Sequence, residues 1–150
     1  MEVHNSAVWE PAPHQPFHGV ISYDGQATNQ RGIHSRFETE LVLRNINSLK
    51  LSPVVIRPVP NVKDFIFEAL ISGEVLVEAI LAADKGAIVN REFYDDAYYA
   101  SFLSGTQAIL ERRISEAASG VASVIAQAWT DAGKPAIPAS RTPEPVRIRR

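Results

Sequence analysis

Residues 61–134, NVKDFIFEALISGEVLVEAILAADKGAIVNREFYDDAYYASFLSGTQAILERRISEAASGVASVIAQAWTDAGK, run without a proline in a chain that carries ten. Proline removes a backbone donor and clashes with the preceding turn, so its absence here permits helix throughout. Apolar residues recur at helical spacing across the run. Asn61 or Asp64 suits the N-cap of a helix that continues through FIFEALISGEVLVEAILAAD and stops at Lys85-Gly86. Phe65, Leu70, Val77 and Leu81 leave it apolar on more than one side, which predicts a central helix. Gly73 costs it up to about 1 kcal/mol relative to alanine and points to close packing or a bend. Asp95 to Leu103 reads as a short aromatic helix ended by Ser104-Gly105. A last helix is expected from Thr106 to Ala132, with Ile109 or Leu110, Ile114, Val121, Val124 or Ile125, and Ala128 on its apolar side. Its many Ala and Ser positions permit close approach of neighbouring helices, and Gly133-Lys134-Pro135 ends it. The fold class is all-α.

Outward from this run, the character changes on both sides. Upstream, Pro53, Pro58 and Pro60 make LKLSPVVIRPVP an extended connection, more a packed coil than a strand. Before it, a helix is expected from Gly32 or Ile33 to about Leu49. Ile33, Phe37, Leu41 and Leu43 with Ile46 form its apolar side, and Arg36, Glu40 and Arg44 its solvated one. Residues 1–13 read as irregular, residues 14–133 as one helical domain, and residues 134–150 as a disordered Pro/Arg-rich tail.

Composition narrows the function classes. A net charge of −2 gives no global attraction to nucleic acid or anionic lipid. No segment reaches the ~18–20 continuous apolar residues of a membrane span, and MEVHNSAVWEPAP has neither basic start nor apolar core of a signal peptide. With no cysteine, disulfides, thiolate zinc sites and cysteine nucleophiles are excluded. A transition metal must therefore be held by His, Asp or Glu.

Three of the four histidines lie in HQPFHGVISYDGQATNQRGIHSRFE, residues 14–38. His34 and Glu38, at i and i+4, project from one helical face. Alone, such a pair is more often a surface or half-buried contact worth a few tenths of a kcal/mol. Glycines in the loop between His18 and His34 let it close around something small. Phe17 and Tyr23 are candidate walls, Asp24 and Asn29 candidate partners of the histidine rings, and His14, between prolines, a loop histidine rather than a ligand.

At HQPFHG, YDGQ and GIHSRFE the sequence resembles the zinc-dependent phospholipase C superfamily, which also contains nucleases that cut single-stranded nucleic acid. The shared pattern is an (H/N)QPxH element, a glycine-bearing loop, then H-x-x-x-E at the start of a helix. The resemblance covers residues 14–133. It implies an all-α helical bundle, zinc as cofactor, and hydrolysis of a phosphoester substrate, phospholipid or nucleic acid. Carried over position by position, His18, His34 and Glu38 match the ligands of one of the family's three zinc ions. The family places a further histidine and a bridging aspartate where this chain has Val8 and Ala12. The resemblance thus implies the C-terminal part of such an enzyme, without its N-terminal ligand-bearing helices, holding at most one zinc and with activity absent or weak. The alternative is a non-catalytic helical fragment or interaction module with at most one structural zinc. Relatives are typically exported, whereas no export signal is read here.

Overall fold

The computed structural model describes residues 15–137. The readings of residues 1–13 as irregular, of His14 as a loop histidine and of the tail after residue 137 as disordered fall outside the described residues, as do Val8 and Ala12.

The described chain is all-helical. A 3-10 turn, Pro16–Gly19, and a second one, Gln26–Thr28, precede the first helix. Ile33–Ser35, Arg36–Glu40 and Leu41–Asn45 then follow without a break as one helix, α1, whose middle piece is π-helical. After an irregular strap over residues 49–60 come α2 (Val62–Glu74), α3 (Val77–Ile88) and α4 (Asp96–Asp131). Among the described residues no helix is long and apolar enough to cross a membrane.

The helix starts obey their caps. The Asn61 side chain accepts from the amides of Lys63 and Asp64, and Asp95 accepts from the amide of Tyr98 at 2.7 Å. Each satisfies donors left free in a first turn. The interior is built around Phe17, Ile33, Phe37, Leu41, Ile80 and Phe102, all at most 1% exposed. Each such side chain contributes about 1.5–3 kcal/mol by leaving water. They join the Pro16–Gly19 turn and α1 to α3 and α4.

Several expectations are corrected. The helix expected from residue 61 to 86 is two helices. Its chain turns at Val75-Leu76, where the Leu76 amide bonds to the Gly73 carbonyl at 3.0 Å, and its second half continues to Ile88 rather than stopping at Gly86. The break lets the two halves bury different faces. In α2, Ala69 and Gly73 are buried, with Gly73 against Pro16 and Arg113, whereas α3 sinks Val77, Ile80 and Ala87 into the core. The first half is thus peripheral, not central: Phe67, Ile71 and Val75 are more than half exposed. Conversely, the helices expected to part at Ser104-Gly105 are one continuous α4. Gly105 is a notch rather than a stop, because a Cβ there would lie 3.0 Å from that of Ala83. The close approach of α3 offsets the roughly 1 kcal/mol glycine costs a helix interior. Finally, α1 ends at Asn45, short of Leu49, with Leu43 and Ile46 exposed rather than on its apolar side, and Arg36 on its expected solvated side is buried.

The strap explains the C-terminal half of α4. Its stripe of Ser115, Gly120 and Ser123 is buried, while Ile125 is exposed, so small residues rather than the apolar ones expected there face inward. They receive the strap, not a helix. The amides of Lys50, Ser52, Val55, Arg57 and Val59 donate in turn to Glu111, Ser115, Ser119, Ser123 and Gln127, at 2.8–3.1 Å. The acceptors are four residues apart, about 6 Å along the helix, close to the ~6.2 Å of two extended residues; the donors keep that step except from Ser52 to Val55, which are three apart. The near-matched repeat lets a segment without a sheet pair these five donors, and Pro53 and Pro58 fall between them.

Candidate metal centre

His18 is carried by the Pro16–Gly19 turn, whose Pro16 and Phe17 are buried. The loop after it closes on itself: Gly25 donates to the Ser22 carbonyl at 3.0 Å and accepts from Gln30 at 2.8 Å. Gly25 has φ 68°, and a Cβ there would meet the Gln30 carbonyl oxygen at 2.7 Å, so only glycine fits. The Asp24 carboxylate accepts from the Gly32 amide at 3.0 Å and ties the loop to the start of α1. His34 and Glu38 follow on α1, with the π piece Arg36–Glu40 between and around them. Single π turns are common where a helix carries a site.

The three side chains expected to share a metal do converge. His18 Nε2 lies 3.1 Å from His34 Nε2, His34 Nε2 lies 2.8 Å from Glu38 Oε2, and His18 Nε2 lies 3.6 Å from the same oxygen. A tetrahedron with zinc–ligand bonds of ~2.0–2.1 Å has edges of about 3.3 Å. The observed triangle has that size. Among the described residues this is the one group of three metal-ligating side chains brought together.

The chemistry of the donor set fits a cation as well. The Glu38 side chain is 5% exposed, with its Oε2 2.8 Å from His34 Nε2. Burial pushes its pKa up to about 8, against the opposing hydrogen bond of the Phe17 amide. Both imidazoles are held below the usual histidine range. For His18 burial acts first and the neighbouring His34 second; for His34 burial is opposed by Asp24. Two neutral imidazoles and one buried carboxyl group thus face a common point, a set suited to a divalent ion.

The surroundings shield one side and leave the other open. The histidine side chains are about one-third exposed, whereas Glu38 backs onto an apolar cavity of about 170 Å³ lined by Phe37, Val42, Leu110 and Ile114. The rings of Phe17 and Tyr23 each lie 6.2 Å from that of His34, so both expected walls are present. Of the expected ring partners, Asp24 acts on His34, while Asn29 closes the Gln26–Thr28 turn and is exposed. A larger concavity of about 670 Å³ runs along the strap between α2 and α4, away from these ligands.

One part of the site was not expected. Asp84 of α3, 2% exposed, accepts from Arg36 at 3.1 and 3.2 Å, from Gln30 at 2.8 Å, and from the hydroxyl of Tyr98. Arg36 also donates from Nε to the Tyr98 hydroxyl at 2.9 Å and from Nη1 to the Arg31 carbonyl at 2.8 Å, and stacks on Tyr94. An i, i+4 charge pattern on α1 hid this, because Arg36 pairs with a residue 48 positions away.

Comparison with protein-family models, with curated proteins and with solved structures gives no match to this chain.

Proposed function

We propose that residues 14–133 are a domain of the zinc-dependent phospholipase C and nuclease type, and that His18, His34 and Glu38 hold one zinc ion for hydrolysis of a phosphoester. The observation that carries this reading is the convergence of three ligand atoms, 2.8–3.6 Å apart, one of them from a buried carboxyl group. Both imidazoles present Nε2, and Glu38 presents Oε2, to one point. His18 and His34, being uncharged near neutral pH, keep their lone pairs available there. Their exposed edges leave the approach from solvent open, as a catalytic rather than a closed structural site requires. Zinc bound there supplies a Lewis acid that polarises a phosphoryl oxygen and lowers the pKa of bound water to ~7. Phe17 and Tyr23 restrict the approach to the side of the rings. The substrate is a phosphoester of a phospholipid or a nucleic acid.

A second reading, an interaction module with one structural zinc and no turnover, draws on two observations. The described residues supply ligands for one ion, not for the pair that clamps attacking and leaving oxygens together. In addition, α2 and the turn after it leave Phe67, Ile71 and Val75 exposed to solvent at four-residue spacing. Hydrolysis of bis(p-nitrophenyl) phosphate by the zinc-loaded chain separates the readings. Turnover lost in His34→Ala supports the hydrolase; zinc binding without turnover supports the module.

A further inference from the structure

We infer that Asp84, with Arg36, Gln30 and Tyr98, is a positioning cluster that sets the rotation of α1 and so brings the ligand atoms of His34 and Glu38 to that of His18. This rests on the reading of His18, His34 and Glu38 as a metal centre.

Arg36 lies in sequence between the two helical ligands and is 6% exposed. Its guanidinium is fixed on three sides, by Asp84 of α3, by Tyr98 of α4 and by the Arg31 carbonyl just before α1. Gln30, 7% exposed, reaches the same Asp84 carboxylate and the Leu81 carbonyl at 2.8 Å each. One carboxylate of α3 therefore holds both the end of the His18–His34 loop and the π turn of the ligand helix. Rotating α1 enough to carry His34 and Glu38 away from His18 breaks the Arg36 contacts together.

The energetics favour a geometric role over a stabilising one. Removing two buried charges from water costs several kcal/mol per ion, and replacing such a pair by apolar side chains is often neutral or stabilising. A greasy contact at Arg36 and Asp84 would hold α1 to α3 as firmly, but over a range of rotations. The bidentate pair and its tyrosine fix one. Groups that orient metal ligands in this way typically change metal affinity by ten- to a hundred-fold when removed.

The test compares zinc affinity with metal-free stability. In Arg36→Met/Asp84→Leu/Tyr98→Phe no cluster charge or hydroxyl is left unpaired, so the metal-free protein is expected to melt within a few degrees of wild type. Zinc, titrated against a chromophoric chelator into the folded protein, is expected to bind at least ten-fold more weakly. A smaller loss overturns the inference. If the triple variant does not fold, Gln30→Ala, which keeps the Arg36–Asp84 pair, decides: weakening of three-fold or more supports the role, and less overturns it. A wild-type chain that binds no zinc overturns the metal centre itself, an outcome distinct from a wild type that binds zinc and a variant that binds it equally.

Discussion

Two regions of this molecule bury polar groups, and they do it in opposite ways. Along the strap, five backbone amides meet five side-chain acceptors of α4 at a repeated spacing. Around α1, Asp84 is densely paired with Arg36, Gln30 and Tyr98, whereas Glu38, one turn from Arg36, is buried with two histidines as its nearest ionisable neighbours. Full pairing is what a structural element needs, since an unmet buried polar group costs about 1–3 kcal/mol. The proposed metal centre lies where the pairing is thinnest beside two histidines.

The largest effect expected from this contrast is on metal affinity. His34→Ala is expected to reduce zinc binding by a hundred-fold or more, as removal of one of three ligands, while Ser119→Ala in the strap ladder leaves it within two-fold; chelator competition reads both. His14→Ala is expected to leave zinc binding nearly intact. Equal losses in His34→Ala and His14→Ala would break the ligand assignment.

The contrast also predicts opposite signs for stability. Glu38 binds a proton up to pH about 8 in the folded, metal-free chain, but only up to about 4.5 when unfolded. The folded state therefore carries more protons between those values, and stability falls as pH rises through the window. The lowered histidine pKa values act the other way below 6.5. Between pH 6.5 and 8 the Glu38 slope stands alone, up to ~1.4 kcal/mol per pH unit. Urea melts of metal-free protein are expected to show it, Glu38→Gln to abolish it, and Glu38→Gln to be the more stable of the two at pH 8. A flat wild-type profile would contradict the raised pKa of Glu38.

Ser123→Ala is the smaller, opposite case. It removes the acceptor of the Arg57 amide and is expected to destabilise by about 1 kcal/mol, read from the same melts. Should it prove neutral, water replaces the serine and the ladder is less structural than its geometry suggests.

The sequence made much of this legible where the governing contacts are local. Helical character followed from the proline-free run, the cap at Asn61 from its side chain, and the His34–Glu38 pair from its four-residue spacing. His18 was reached through its resemblance to a known pattern, not through any local rule. What was hidden depends on partners far along the chain. Gly105 reads as a helix stop until Ala83 is known to lie against it. Arg36 reads as a solvated charge until Asp84 is placed beside it. The break at Val75-Leu76 follows from two halves burying against different neighbours, which periodicity within one long apolar stretch does not reveal.

The central claim is that His18, His34 and Glu38 form a receptacle for a single ion. Its most direct test is the zinc content of the purified chain after equilibration with zinc and removal of the excess. The account predicts one zinc per wild-type chain and none in His34→Ala. No zinc in the wild type, or the same amount in both, would contradict it.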